Sequence, residues 1–130
     1  MQRVALALAG LMGALSVGAG AAARHLFPAD ASAAQLDYAL LAVRFGILHA
    51  AVLVGLAALL SGDLTRARRR WLAASCWCLF GGFLGFCVGL WILALGAGPG
   101  WGRAVPVGGM LFIAGWLALI GAALAPRQAS

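Results

Sequence analysis

Few residues in this sequence can do chemistry: His25 and His49, the thiols of Cys76, Cys78 and Cys87, the carboxylates of Asp30, Asp37 and Asp63, and Arg44, set within an apolar run. An imidazole inside such a run can carry a proton, ligate a metal or haem, or hydrogen-bond to a neighbouring helix. An ionisable group within a membrane span is a candidate functional site, so His49 and Arg44 come first, with His25 at the end of the preceding run. His25 and His49 fall at different depths, which suits them poorly to be the two axial ligands of one haem. A copper or zinc site would want a third ligand nearby, and none is obvious. The cysteines show no CxxC or Cys/His spacing and read as small buried hydrophobes. Arg44 and His49 are five residues apart, about 140° around a helix, so they do not line one narrow pore face. Arg44 can snorkel to headgroups or pair with Asp37 two turns earlier. His49 can equally be a neutral imidazole bonded to an adjacent helix. No acid falls within an apolar run, which argues against carboxylate-coupled proton antiport. There is no Ser/His/Asp set, nucleotide-binding glycine loop or lipidation motif. Catalysis, a cofactor and a resident metal are therefore not expected.

The elements that would position these groups follow from composition. The 130 residues are 65% apolar and 9% charged, against roughly a quarter charged in soluble domains. So small a domain cannot hide that much apolar surface from water, so its solvent is lipid. The net charge of +6 is carried by nine basic residues, all arginine, which flank apolar runs; this fits anionic headgroups rather than nucleic acid. About 20 apolar residues span the hydrocarbon core as a helix. Four runs qualify, at about residues 4–23, 39–60, 71–95 and 104–124. Their short connections require neighbouring antiparallel helices, so the expected fold is an all-α, four-transmembrane-helix bundle forming one integral membrane domain.

With four spans, both termini and the middle loop share a side. That side holds Arg3, Arg66, Arg68, Arg69, Arg70 and Arg127, against Arg24, Arg44 and Arg103 opposite. The bias places both termini in the cytoplasm. A rival reading takes Arg3, the first run and Ala21-Ala22-Ala23 as a signal peptide, but the run is longer than the usual h-region of about 7–15 residues.

Association in lipid relies on close packing of small residues. The third run carries Gly81, Gly85 and Gly89 at intervals of four, with Gly82 beside them; the fourth carries Gly108, Gly109 and Gly115, and Ala114, Ala118 and Ala122. The first offers Gly10, Ala14, Gly18 and Ala22, and the second Ala51 and Gly55. These stripes can serve within the chain or form a homo-oligomer seam. Trp71, Trp91, Trp101 and Trp116 are candidate interfacial anchors, Trp71 and Trp101 being best placed.

The segment Pro106-Val107-Gly108-Gly109-Met110-Leu111-Phe112-Ile113-Ala114-Gly115-Trp116 resembles the P-x-G-G-x-x-F-x-x-G-W signature of the YgdD-like small membrane proteins, a family of unknown function. Gly20-Ala21 with His25-Leu26, Phe45 with His49, and Phe86 followed by Leu90–Leu95 resemble that family's landmarks in the first three helices. The sequence departs from the pattern at Arg24, at Gly46 where glutamine is usual, and at Cys87-Val88-Gly89, which replaces an S-G-S triplet. The resemblance implies four spans with an uncleaved first helix, singles out His25 and His49, and supplies no activity. The expected location is the bacterial inner (plasma) membrane.

Three functional classes fit. The first is a structural or accessory protein that packs against a larger membrane complex or itself. The second is a small solute or ion transporter or channel subunit using Arg44 or His49. The third is a redox subunit holding a cofactor through the histidines or cysteines.

Overall fold

The computed structural model describes residues 1–27, 31–96 and 99–126. Asp30, Ala97, Gly98, Arg127 and the side chain of Arg24 lie outside that description. The described chain is helical: α1 (Gln2–Leu26), α2 (Ala33–Leu59), α3 (Arg66–Ala94) and α4 (Ala104–Leu124), the last entered through a 3-10 turn at Pro99–Arg103. All four helices are long and apolar enough to cross a membrane.

Most helices outrun their apolar cores, for reasons of capping. Counting apolar residues puts the start of the second helix near Ala39, whereas Ser32 starts it at Ala33. Ser32 Oγ accepts from the Gln35 amide at 3.2 Å, and Gln35 Oε1 accepts from the Ser32 amide at 3.0 Å. This is a capping box, S-x-x-Q. Thr65 likewise caps α3, its Oγ1 accepting from the Arg68 amide at 3.3 Å, so the arginine run forms the first turns of that helix instead of a loop.

Both caps also join helices. Gln35 Nε2 donates to the Ala94 carbonyl at 3.2 Å, satisfying one of the carbonyls that the end of α3 leaves without a helical partner. At the opposite end, Thr65 Oγ1 donates to the Pro126 carbonyl at 2.9 Å. After α3 the chain turns at Gly96, whose φ of +82° is a conformation that a side chain disfavours.

The bundle is two hairpins. α1 lies along α2, α3 lies along α4, and α2 meets chiefly the second half of α3. The core runs from Ala5, Ala9 and Met12 of α1 through Leu53 and Leu56 of α2 to Leu72, Cys76, Leu79 and Phe83 of α3 and Phe112 and Ala122 of α4.

At the α3–α4 contact the backbones nearly touch. A Cβ on Gly85 would stand 2.8 Å from Gly108 Cα, and one on Gly82 would stand 2.5 Å from the Phe112 ring. A Cβ on Gly108 would overlap the backbone of Gly85 and Phe86. Here α3 widens into a π-helical turn, Phe83–Val88. Such a turn is a local departure often found at functional positions. It presents Gly85 to α4 while Phe86 packs toward α2.

Two of the small-residue stripes are not packing faces within the chain. Gly10, Ala14 and Gly18 of α1 and Ala51 and Gly55 of α2 are exposed, and a Cβ on Gly10, Gly18 or Gly55 would meet nothing within 4 Å. α1 instead packs through Ala5, Ala9, Met12 and Ser16. Ser16 approaches so closely that a side chain at Gly46 would overlap its hydroxyl. The glycine where the family pattern has glutamine is thus what lets α1 seat on α2.

Candidate functional site

His49 lies at the centre of the bundle and is 2% exposed. Phe45, one turn earlier on α2, provides the first half of its setting. His49 Nδ1 lies 2.8 Å from the Phe45 carbonyl oxygen; that oxygen can only accept, so Nδ1 carries a proton. Trp116 of α4 donates its indole N–H to His49 Nε2 at 3.2 Å, and indole can only donate, so Nε2 is bare. Two partners of fixed polarity therefore define one neutral tautomer. Each ring nitrogen is occupied, which is how a buried polar group avoids the cost of lost hydration.

Aromatic rings close the rest of the site. Phe112 stacks on the imidazole with centroids 3.8 Å apart and planes 16° apart. Phe86 from the π-helical turn lies 4.9 Å from Phe45 and 5.8 Å from Phe112. These contacts carry the union of α2 with α4, whose backbones scarcely approach each other. Near this layer, buried Ser75 of α3 donates to the Gly115 carbonyl at 2.8 Å. Buried Ser16 donates to the Met12 carbonyl of its own helix at 2.7 Å.

The three polar residues singled out from the sequence do not converge. His25 is exposed in the last turn of α1, and Arg44 is exposed on α2. Because α2 begins at Ala33, Arg44 stands about 16 Å along the helix. Its face is turned away from buried His49, in keeping with their angular separation. Cys76 and Cys87 are buried, Cys78 is half-buried, and all three are free thiols. Among the described residues, no three His, Cys, Asp or Glu side chains group closely enough to hold a metal ion.

The six glycines named for packing lie along the α3–α4 contact. Gly81 faces Leu111, Gly85 faces Gly108, Gly89 faces Val105, Gly109 faces Phe86, and Gly115 faces Leu79. Trp116, grouped above with the interfacial anchors, sits in the middle of α4 as the partner of His49. Phe112, Ser16 and Ser75 were not anticipated. Phe112 and Trp116 do stand in the fourth-helix signature, four residues apart, and so on one helical face; that was the available signal.

A chain whose described residues form four helices of membrane-spanning length, with His49 held between two of them, is a small multi-pass integral membrane protein. It belongs to the family described as "Protein of unknown function (DUF423)", which matches residues 19–109. It is 33% identical over 118 residues to UPF0382 membrane protein SSP2132 of Staphylococcus saprophyticus, covering 91% of this chain and 94% of that relative. To UPF0382 membrane protein SH2409 of Staphylococcus haemolyticus it is 36% identical over 106 residues, covering 82% and 83%. No solved structure gives a significant match. The YgdD-like resemblance is consistent with this family, to which no specific activity is attached.

Proposed function

We propose that this protein is a non-enzymatic accessory component of the bacterial inner membrane that acts through lateral contact with a larger membrane complex or with further copies of itself. One observation carries the reading: the deepest ionisable group, His49, has each ring nitrogen engaged by a fixed partner inside the bundle. A proton or solute carrier would need that imidazole to change partners. Here it pins α2 to α4. The short connections between helices add to the case, leaving most of the molecule to meet lipid or other spans.

The arginine-rich end, with Arg3 before the first span, Arg66, Arg68, Arg69 and Arg70 at the start of α3, and Arg127 after α4, supports an orientation with both termini in the cytoplasm.

Native mass spectrometry of the protein released gently from its own membrane tests the reading. A defined assembly, with partner subunits or a fixed copy number, is the expected result. A bare monomer, together with liposome flux that disappears in His49→Ala, would overturn it in favour of a transporter.

A further inference from the structure

On one side of the His49–Trp116 bond the bundle is tight; on the other, α2 and α4 leave a groove between them. It has a volume of about 430 Å³ and is lined by Val52, Gly55, Leu56 and Leu59 of α2 and by Trp116 and Leu119 of α4. The groove is shallow and open to the surrounding lipid, with Leu59 and Trp116 about half exposed, and its lining is apolar throughout.

Three features identify the occupant. The first is length. From Val52 to Leu59 is about 10 Å of helix, within the roughly 15 Å of a single hydrocarbon leaflet. The second is closure. Trp116, fixed by His49, forms a wall at mid-bundle, and the Phe45–Phe86–Phe112 cluster fills the space beyond it. A partner helix would cross both leaflets, whereas an acyl chain ends near the midplane, where this groove ends.

The third is charge at the open end. Arg66, Arg68, Arg69 and Arg70 lie in the first turns of α3, with no acidic residue in the first turn. Cations at a helix N-terminus oppose the helix dipole, so an anion there relieves both the dipole and the crowding of like charges. Two contacts hold this end of α3 beside α4, a wall of the groove: the Thr65–Pro126 hydrogen bond, and the Trp71 ring, which lies where a Cβ on Gly121 would fall.

We propose that the α2–α4 groove holds one acyl chain of an anionic phospholipid whose phosphate is bound by the arginines that open α3. This site is independent of the accessory role, because a lipid can be held whatever the protein assembles with.

The test uses the full-length chain reconstituted in vesicles of equal parts phosphatidylethanolamine and phosphatidylglycerol, released gently and weighed by native mass spectrometry. Phosphatidylglycerol should be retained above its share in the vesicles. Gly55→Leu, whose new side chain meets no neighbour within 4 Å at its Cβ, fills the groove and should lose retained lipid of both kinds while remaining monodisperse. Arg66→Gln, Arg69→Gln or Arg70→Gln should keep a lipid but cut the headgroup preference by up to about five-fold each, from roughly 1 kcal/mol per basic side chain at an anionic surface. Should Gly55→Leu misfold, Leu59→Trp blocks the mouth instead.

Fluorescence gives a second readout. Phosphatidylglycerol with brominated chains should quench the native chain more than Trp116→Phe. Retention at the vesicle ratio, Gly55→Leu holding as much lipid as the native chain, or quenching unchanged in Trp116→Phe would each overturn the proposal. A dimer that Gly55→Leu abolishes would do so too, by showing that a second copy covers the groove.

Discussion

The α3–α4 contact and the outward face of α1 both carry small residues at intervals of four, yet the two regions behave oppositely. Between α3 and α4 each missing side chain is matched by a neighbour: Gly85 by Gly108, Gly82 by Phe112, Gly115 by Leu79. Along Gly10 and Gly18 of α1 there is nothing within 4 Å. Small residues let helices approach, but approach also needs something to hold the pair in register. α3 and α4 have the Ser75–Gly115 bond and the Phe86–Phe112 contact. α1 has its one close polar approach at Ser16, on a different face.

The largest effect that would break this contrast is expected from Gly108→Leu. Its Cβ would overlap backbone, which cannot rotate away, so the cost should reach about 3 kcal/mol or more, the upper end of overpacking. Denaturant titration in detergent micelles, followed by far-UV circular dichroism, measures it. A loss below about 1 kcal/mol would mean that the α3–α4 crossing is looser than described.

His49→Ala ranks next, at about 2 kcal/mol, because it removes the stack on Phe112 and leaves the Trp116 N–H unpaired. Combined with Trp116→Phe in a double-mutant cycle, it should show a coupling of about 0.6 kcal/mol, the mean for hydrogen bonds between membrane helices, and at most about 1.7 kcal/mol. Zero coupling would remove the pin between α2 and α4. Ser75→Ala should cost less, about 0.6 kcal/mol, since a single neutral bond is lost.

Smallest of all is Gly10→Leu or Gly18→Leu, expected within about 0.5 kcal/mol of the native chain because the added atoms meet only lipid. This pair sharpens the comparison most. Unchanged stability with a smaller assembly in native mass spectrometry would assign the α1 face to a partner; unchanged assembly would leave that face to lipid.

Much of the architecture was legible from the sequence. Four apolar runs joined by short links admit one arrangement in lipid, because only helices satisfy their own backbone there. The helix starts were less so: Ser32 and Thr65 precede residues too polar to count toward a span, and their caps act through the backbone rather than through hydropathy. His49 stood out because an imidazole within an apolar run is uncommon, but its partner could not be read from α2. Trp116 lies 67 residues further on, and its orientation depends on how α4 rotates against α3, which the glycines settle. Spacing of four marked a packing face on α3 but misled on α1 and α2, and on α4 at exposed Ala114, since periodicity records which residues align but not what lies opposite.

Gln35 bears on the order of assembly. One carboxamide serves two helices, its oxygen closing the start of α2 and its nitrogen holding the end of α3. Gln35 lies in one hairpin and Ala94 in the other, so this side chain is satisfied at both ends only when the hairpins have met. The Gln35 carboxamide therefore acts as a latch that reports completion. Gln35→Ala should leave four inserted helices whose outer ends exchange their amide hydrogens independently, where the native chain protects them together.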